Sequence, residues 1–219
     1  MSEVIIIGAG GHAAEIDEYI KYSNNTLGEK KLSVAAFLDD NPENYARYNF
    51  SAPLMGSVKG HNVLTTCFYI ISIADVLIRK SIVNSFREKG ARFITFVDAR
   101  AYVSESASLG EGCIIGPFAN IGTNVKLGMF NLVNSRASLA HDSIIGNFNI
   151  ISPNVCFSGF SSVGDENFFG INCASLPGIS IGNRNKVAAG IIIDKNIDDD
   201  STVFHRFKEK VIAVPKLLR

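Results

Sequence analysis

The chain holds four histidines. One of them, His141, stands in the middle of a long stretch with a strict period and is followed by Asp142. Gly159 lies three sixes further along the chain. If three sixes close one turn of a coil, the Gly159 amide stacks beside His141. An imidazole next to an exposed backbone N–H offers a base and an oxyanion donor together. The alternative is a solvent-facing histidine on a repetitive wall, and spacing alone leaves both open. A second set of residues lies near the start. Gly8-Ala9-Gly10-Gly11-His12-Ala13 follows the apolar run Val4-Ile5-Ile6-Ile7. Glycines there let backbone amides approach a phosphate at a helix N-terminus. Asp39 and Asp40 end a second apolar run, Val34 to Leu38. An acid at that point can accept hydrogen bonds from a ribose or a base, or can simply open the turn Asn41-Pro42.

The elements that must position His141 follow from a six-residue beat. From Val103 to Ile193, sixteen successive positions six apart hold fifteen apolar residues, and only Ser175 is polar. Glycine often follows the aliphatic residue, as at Gly110, Gly116, Gly122 and Gly128. Four residues after the beat the side chain is small or of valine size, as at Cys113, Ala119, Val125 and Ala137. This is the hexapeptide repeat, which folds as a parallel β-helix with three sixes per triangular coil. The beat residue points to the axis, and glycine or asparagine turns the corners with positive φ. Helices of this repeat wind left-handed, a property taken from the repeat class and not from the beat.

The region before the repeat alternates strand and helix. Buried strands are expected at Val4–Ile7, 34–38, 68–73 and 93–97, with helices through Ile16 and Ile20 and over 75–90. The second helix presents Ile78, Ile82 and Phe86 on one face. Such alternation implies a small parallel sheet of Rossmann type. About 98 residues are too few for a full dinucleotide fold, so a half-size domain for one nucleotide fits better. The domains expected are therefore 1–98, α/β and nucleotide-binding, and 99–219, an all-β β-helix with a C-terminal tail.

Composition excludes several classes. Lysine plus arginine equals aspartate plus glutamate at 21 each, so no basic excess points to nucleic acid. No apolar stretch approaches the roughly 20 residues of a membrane span, and Val4–Ile7 is too short for a secretory core. Cys67, Cys113, Cys156 and Cys173 lack paired spacing and read as free, buried thiols in a reducing cytoplasm. With His141 alone in the coils, a zinc site of three histidines cannot be built. Thr123 is the only threonine there, against the threonine ladders of an ice-binding wall. A nicotinamide dehydrogenase would leave the β-helix unexplained.

Taken together, Ile6-Ile7-Gly8-Ala9-Gly10-Gly11-His12, Asp39-Asp40, the coils phased in three sixes, Ala140-His141-Asp142, Phe169-Gly170-Ile171-Asn172 and Pro177-Gly178 resemble the NeuD/PglD-like sugar O- and N-acyltransferases. The resemblance implies a homotrimer that transfers an acyl group, acetyl in the first instance, from acyl-CoA to the amine of a nucleotide-linked amino sugar. The alternatives are a sialic-acid-type O-acetyltransferase or a non-catalytic scaffold. It implies His141 as general base, Asp142 as the acid that polarises it, and Gly159 as the amide that binds the thioester carbonyl. Asn134 matches a polar site of the family pattern, and equally reads as a corner asparagine. Ile171 and Ala189, with Gly159, fall where relatives line the CoA groove between neighbouring β-helices. Gly8, Gly10, Gly11 and His12 would meet the diphosphate, and Asp39 or Asp40 the base or ribose; no metal is implied. Three departures stand out. Ile150 replaces a second histidine nine positions after the first. Phe204-His205-Arg206-Phe207-Lys208 replaces Gly-Val-Pro-Ala-Lys, and Ile73-Ala74-Asp75-Val76 replaces Gly-Asp-Asn.

Overall fold

The computed structural model of the chain describes residues 2–26 and 32–205. Its first part runs β1 (Ser2–Ile7), α1 (Gly11–Thr26), β2 (Leu32–Leu38), α2 (Pro42–Ala46), β3 (Leu54–Gly56), β4 (Phe68–Ile71), α3 (Val76–Glu88) and β5 (Arg92–Phe93). The five strands form one parallel sheet in the order β3-β2-β1-β4-β5. Strand β1 is central, which is why Val4 to Ile7 are apolar without alternation and fully buried. β3 was not legible as a strand. The segment expected as one strand over 93–97 is two: Arg92–Phe93 closes this sheet, while Phe96–Val97 already pairs with Ile114–Ile115 of the repeat.

From Phe96 the chain forms three parallel ladders of two-residue strands. They contain seven, six and five strands, and strand order steps three elements at a time until the last step of the seven-stranded ladder, which is two. We call them face one (Phe96–Val97 to Thr202–Val203), face two (Tyr102–Val103 to Ile192–Ile193) and face three (Ser108–Leu109 to Ser180–Ile181). Each coil bonds to the next through the backbone, for example Tyr102 N–H to Ala119 O and Ser108 N–H to Val125 O, both 2.9 Å. The apolar beat residues from Ile115 to Ile193 and the small residues Cys113, Ala119, Val125, Ala137, Val155 and Cys173 make one continuous axial core. The architecture is thus a half-Rossmann α/β unit followed by a parallel β-helix. The coils outlast the beat. Ile197 bridges Ile181, and Thr202–Val203 pairs with Lys186–Val187 after a step two short of the full coil.

The corners are held by side-chain hydrogen bonds. Between faces three and one, Asn131, Asn149, Asn167 and Asn185 stack with their side chains buried. Asn131, Asn149 and Asn167 each accept, through Oδ1, the backbone N–H one coil on: Asn149 N–H to Asn131 at 2.8 Å, Asn167 to Asn149 at 2.9 Å, Asn185 to Asn167 at 2.7 Å. The Nδ2 groups of the same three residues donate to glycine carbonyls, those of Gly146, Gly164 and Gly182. The ladder satisfies backbone groups that a corner would otherwise bury unpaired. Corner residues also take positive φ, and at Phe118, Phe130, Phe148 and Phe160 a phenylalanine does so, an uncommon conformation for a bulky side chain.

The α/β unit lies on the outside of face one. Ile114, Leu132, Ile150 and Phe168, which point away from the axis, join a cluster with Val4, Ile6, Ile16, Phe37 and Ile70. Phe130 and Phe148 join a second cluster with Tyr69, Phe86 and Phe93. The inner face of α3 differs from expectation. Arg79, Val83 and Phe86 are buried, whereas Ile78 is exposed. Arg79 takes the inner position because it has carbonyls to meet: it donates to Ile71 O at 2.6 Å, Ile73 O at 3.1 Å and Phe130 O at 3.1 Å. Burial pushes its guanidinium down to about 10, still charged at neutral pH, and it has no ion pair among the described residues. The thiols are free, but Cys156 is exposed, contrary to expectation. It is the first residue of its two-residue strand, and its neighbour Phe157 takes the inward position.

Arg79→Met should destabilise the fold by about 3 kcal/mol, because three carbonyls, two of them in buried bonds, lose their donor. Asn149→Ala should cost about 2 kcal/mol by leaving the Asn167 amide unpaired. Urea denaturation measures both.

Candidate active site

The glycine loop joins β1 to α1. Gly8 has φ +101°, and a Cβ there would strike Ser72, so the residue must be glycine. Gly10 faces open space, and a Cβ on Gly11 would come 3.1 Å from the Tyr48 hydroxyl. α1 carries no acidic residue in its first turn, so its N-terminal dipole and free amides are left to an incoming anion. His12 Nδ1 lies 3.1 Å from Glu15 Oε2, and its Nε2 is buried without a partner.

The two acids at the tip of β2 separate in role. Asp39 is consumed internally: it accepts from Ala9 N–H at 2.7 Å, Asn41 N–H at 2.8 Å and Asn44 Nδ2 at 3.2 Å. It pins the glycine loop to the turn. Asp40 accepts from Lys59 N–H at 3.2 Å and lines a cavity of about 540 Å³ with Lys59, Leu77, Ile78, Ser81 and Phe86.

His141, Asp142 and Gly159 meet at one corner, between faces two and three. The coil brings Phe160 N–H to His141 O at 3.1 Å, which sets residue 159 beside 141. A Cβ on Gly159 would lie 2.6 Å from His141 Cε1 and 2.7 Å from Nε2, so a larger residue there would push the imidazole out of this position. Nδ1 of His141 lies 2.9 Å from Asp142 Oδ2. A carboxylate there favours the tautomer with the proton on Nδ1 and leaves Nε2 free to accept. The Gly159 N–H has no acceptor among the described residues. The side chain of His141 is 57% exposed, so one chain alone does not enclose it. Phe160 packs edge-on to the imidazole, with ring centroids 5.2 Å apart and planes at 88°.

The other expected groove residues lie elsewhere. Asn134, Ile171 and Ala189 occupy the corner between faces one and two, Ile171 and Ala189 in successive coils and Asn134 two coils before Ile171. Asn134 Oδ1 accepts from Ser135 N–H at 2.7 Å. One chain therefore does not bring them to His141. Ile150 is buried against the α/β unit, away from the histidine corner. Of the atypical C-terminal segment, Phe204 is exposed, while 206–210 lie outside the described residues.

Comparison with known proteins matches residues 3–86 to the PglD N-terminal domain and 161–195 to the hexapeptide repeat of succinyl-transferase. The chain thus resembles the PglD-like hexapeptide-repeat proteins in its α/β unit and in part of its coils. A curated relative of this PglD-like chain is the UDP-N-acetylbacillosamine N-acetyltransferase of Bacillus subtilis, 28% identical over 52% of this chain. The alignment spans about half of that relative, 51% of its length. Among solved structures, the acetyltransferase domain of PglB from Neisseria gonorrhoeae in complex with acetyl coenzyme A is 25% identical with a TM-score of 0.80, covering 91% of this chain and 94% of that one. PerB from Caulobacter crescentus in complex with CoA and GDP-perosamine is 26% identical with a TM-score of 0.77, covering 92% and 93%. No group able to hold a metal ion occurs among the described residues, and no helix among them is long and apolar enough to cross a membrane.

In this PglD-like chain one site residue escaped sequence reading. Asn124, one coil before Asp142, donates from Nδ2 to Asp142 Oδ1 at 3.0 Å. Its hydrogen bond, followed by that of His141, holds the Asp142 carboxyl below the usual carboxylate range. The coil period was the available signal. Asn124→Ala should move the Asp142 pKa back up toward the ordinary value, read by a carboxyl NMR titration. The depressed carboxyl contributes above the ordinary pKa and loses its contribution as pH falls through the folded value, so any pH-dependent gain from this pair should shrink in the variant.

Proposed function

We propose that this chain is an acetyl-CoA-dependent N-acyltransferase acting on the amino group of a nucleotide-linked amino sugar. The observation that carries the reading is the His141–Asp142 pair set against the Gly159 amide at a single corner. His141 Nε2 takes a proton from the sugar amine as its nitrogen attacks the thioester carbonyl carbon. The carbonyl oxygen becomes anionic and is bound by the Gly159 N–H. The C–S bond then breaks, the imidazolium returns the proton to the thiolate, and amide and CoA thiol leave. Asp142 steadies the imidazolium in between. The relatives whose names specify N-acetyltransferase, CoA and GDP-perosamine support an amine acceptor over a hydroxyl.

Residues 1–98 would hold the nucleotide sugar, with the diphosphate at Gly8, Gly10, Gly11 and His12, and 99–219 the acyl donor. The cavity beside Asp40 suits the base or ribose better than Asp39, whose oxygens are already engaged. A homotrimer is part of the same reading, and the placement of parts supports it. The α/β unit covers face one, and the His141 corner is the vertex opposite that face. A sugar held by one chain's α/β unit would then meet the histidine of a neighbour. Ile171 and Ala189 of that neighbouring surface would close the CoA groove against Gly159. Localisation in the cytoplasm, where acetyl-CoA is made, is part of the same reading.

Turnover of acetyl-CoA with UDP- and GDP-linked amino sugars, followed by mass spectrometry of the product, tests the function. His141→Ala should lower kcat by roughly 10²–10⁴-fold and leave nucleotide-sugar affinity nearly unchanged. Asp40→Ala should weaken that affinity and leave CoA binding alone. Near wild-type turnover in His141→Ala, or a monomer by light scattering, would defeat this reading.

A further inference from the structure

Beneath the Gly159 corner Ser158, Ser161 and Ser175 close a ring of hydrogen bonds, with Ser143 joined to it. Ser143, Ser161 and Ser175 are 0%, 1% and 4% exposed. Ser161 Oγ donates to Ser158 O at 2.6 Å, and Ser143 Oγ donates to the same oxygen at 3.3 Å. Ser161 Oγ and Ser175 Oγ are 3.0 Å apart. Because the Ser161 hydrogen is committed to Ser158 O, the Ser175 hydrogen points to Ser161. Ser158 N–H in turn donates to Ser175 Oγ at 3.2 Å, and Ser158 Oγ to Ser175 O at 2.7 Å.

The Ser158 carbonyl and the Gly159 N–H are two ends of one peptide unit. We infer that Ser161, with Ser175 behind it, is a positioning residue that orients and polarises this peptide so that the Gly159 N–H binds the reacting oxyanion more strongly. A hydroxyl donated to the carbonyl draws electron density through the amide and leaves its N–H more positive. Such chains strengthen one another in a dry interior. The bonds also hold the peptide plane still before charge develops. Ser175 is the single polar residue among the sixteen beat positions. Elsewhere the axis takes an aliphatic or aromatic side chain, and a hydroxyl there needs a partner; here that partner is the chain of bonds leading to Gly159. The amine nitrogen forms its bond to the carbonyl carbon, the electron pair moves to oxygen under the Gly159 N–H, and the ring of serines gives up no proton.

This inference rests on the reading of Gly159 as oxyanion donor. The test compares wild type, Ser161→Ala and Ser161→Thr as intact protein with acetyl-CoA and the amino-sugar nucleotide. Ser161→Ala should lower kcat about fivefold with both KM values unchanged. Ser161→Thr keeps the hydroxyl and should retain most of the rate. S-ethyl-CoA, a thioether with no carbonyl, should bind wild type and Ser161→Ala equally by calorimetry. Unchanged kcat in a folded Ser161→Ala overturns the inference while leaving the acetyl-transfer reading intact. So does an equal loss in Ser161→Thr at an unchanged melting temperature. Absence of acetyl transfer by wild type overturns both.

Discussion

The structure depends on one constraint: each coil closes in three sixes, so that the strands of each face meet the backbone of the next coil in register. That closure converts sequence distance into spatial contact. It puts Gly159 on His141, Asn124 on Asp142 and each ladder asparagine on the next. None of these contacts is local in the chain, yet each needs only that the period hold between two adjacent coils. The axial core maintains the period, because an inserted or missing residue would turn a whole face of apolar side chains outward. Packing along the axis and geometry at the surface are therefore the same requirement.

The α/β unit is bound to this rod by apolar contact, by the buried Arg79 and by the ion pairs Lys80–Glu166 and Arg87–Glu111. Ile114, Leu132, Ile150 and Phe168 give face one a hydrophobic exterior for the α/β unit to cover. At its edge Arg79 joins the end of β4 to the Phe130 carbonyl. The backbone that follows β4 is thereby tied to the β-helix and not only to its own sheet. Phe130 and Phe148 stack there with centroids 5.0 Å apart, so corner residues with positive φ serve the junction as well as the turn.

The β-helix was legible because its signal is periodic and redundant; sixteen beats outvote any local ambiguity. The glycine loop was legible for a different reason, since Gly8 and its neighbours have few other uses after a buried strand. The histidine corner followed from period plus spacing. What sequence hid was mostly polar burial. Arg79 reads as a surface residue on α3, and only the carbonyls of Ile71, Ile73 and Phe130 explain its inward turn. Asp39 and Asp40 are indistinguishable by type, and their division of labour appears only when Ala9 and Asn44 are seen to occupy one of them. Face one's covered exterior was missed because an outward isoleucine such as Ile150 carries no mark of what will cover it. The coil after Ile193 was missed because its step falls two short of the period that marks the others.

That shortened step bears on how long such a rod can grow. A stack of parallel strands ends in unpaired backbone groups, and matching ends invite addition of one molecule to another without limit. The last described coil does not match those below it: its step is cut short, and its corner carries Asp198, Asp199 and Asp200. Arg184 gathers two of these carboxylates inward, with Nε 2.6 Å from Asp200. A coil that kept the full period would not match this one in length.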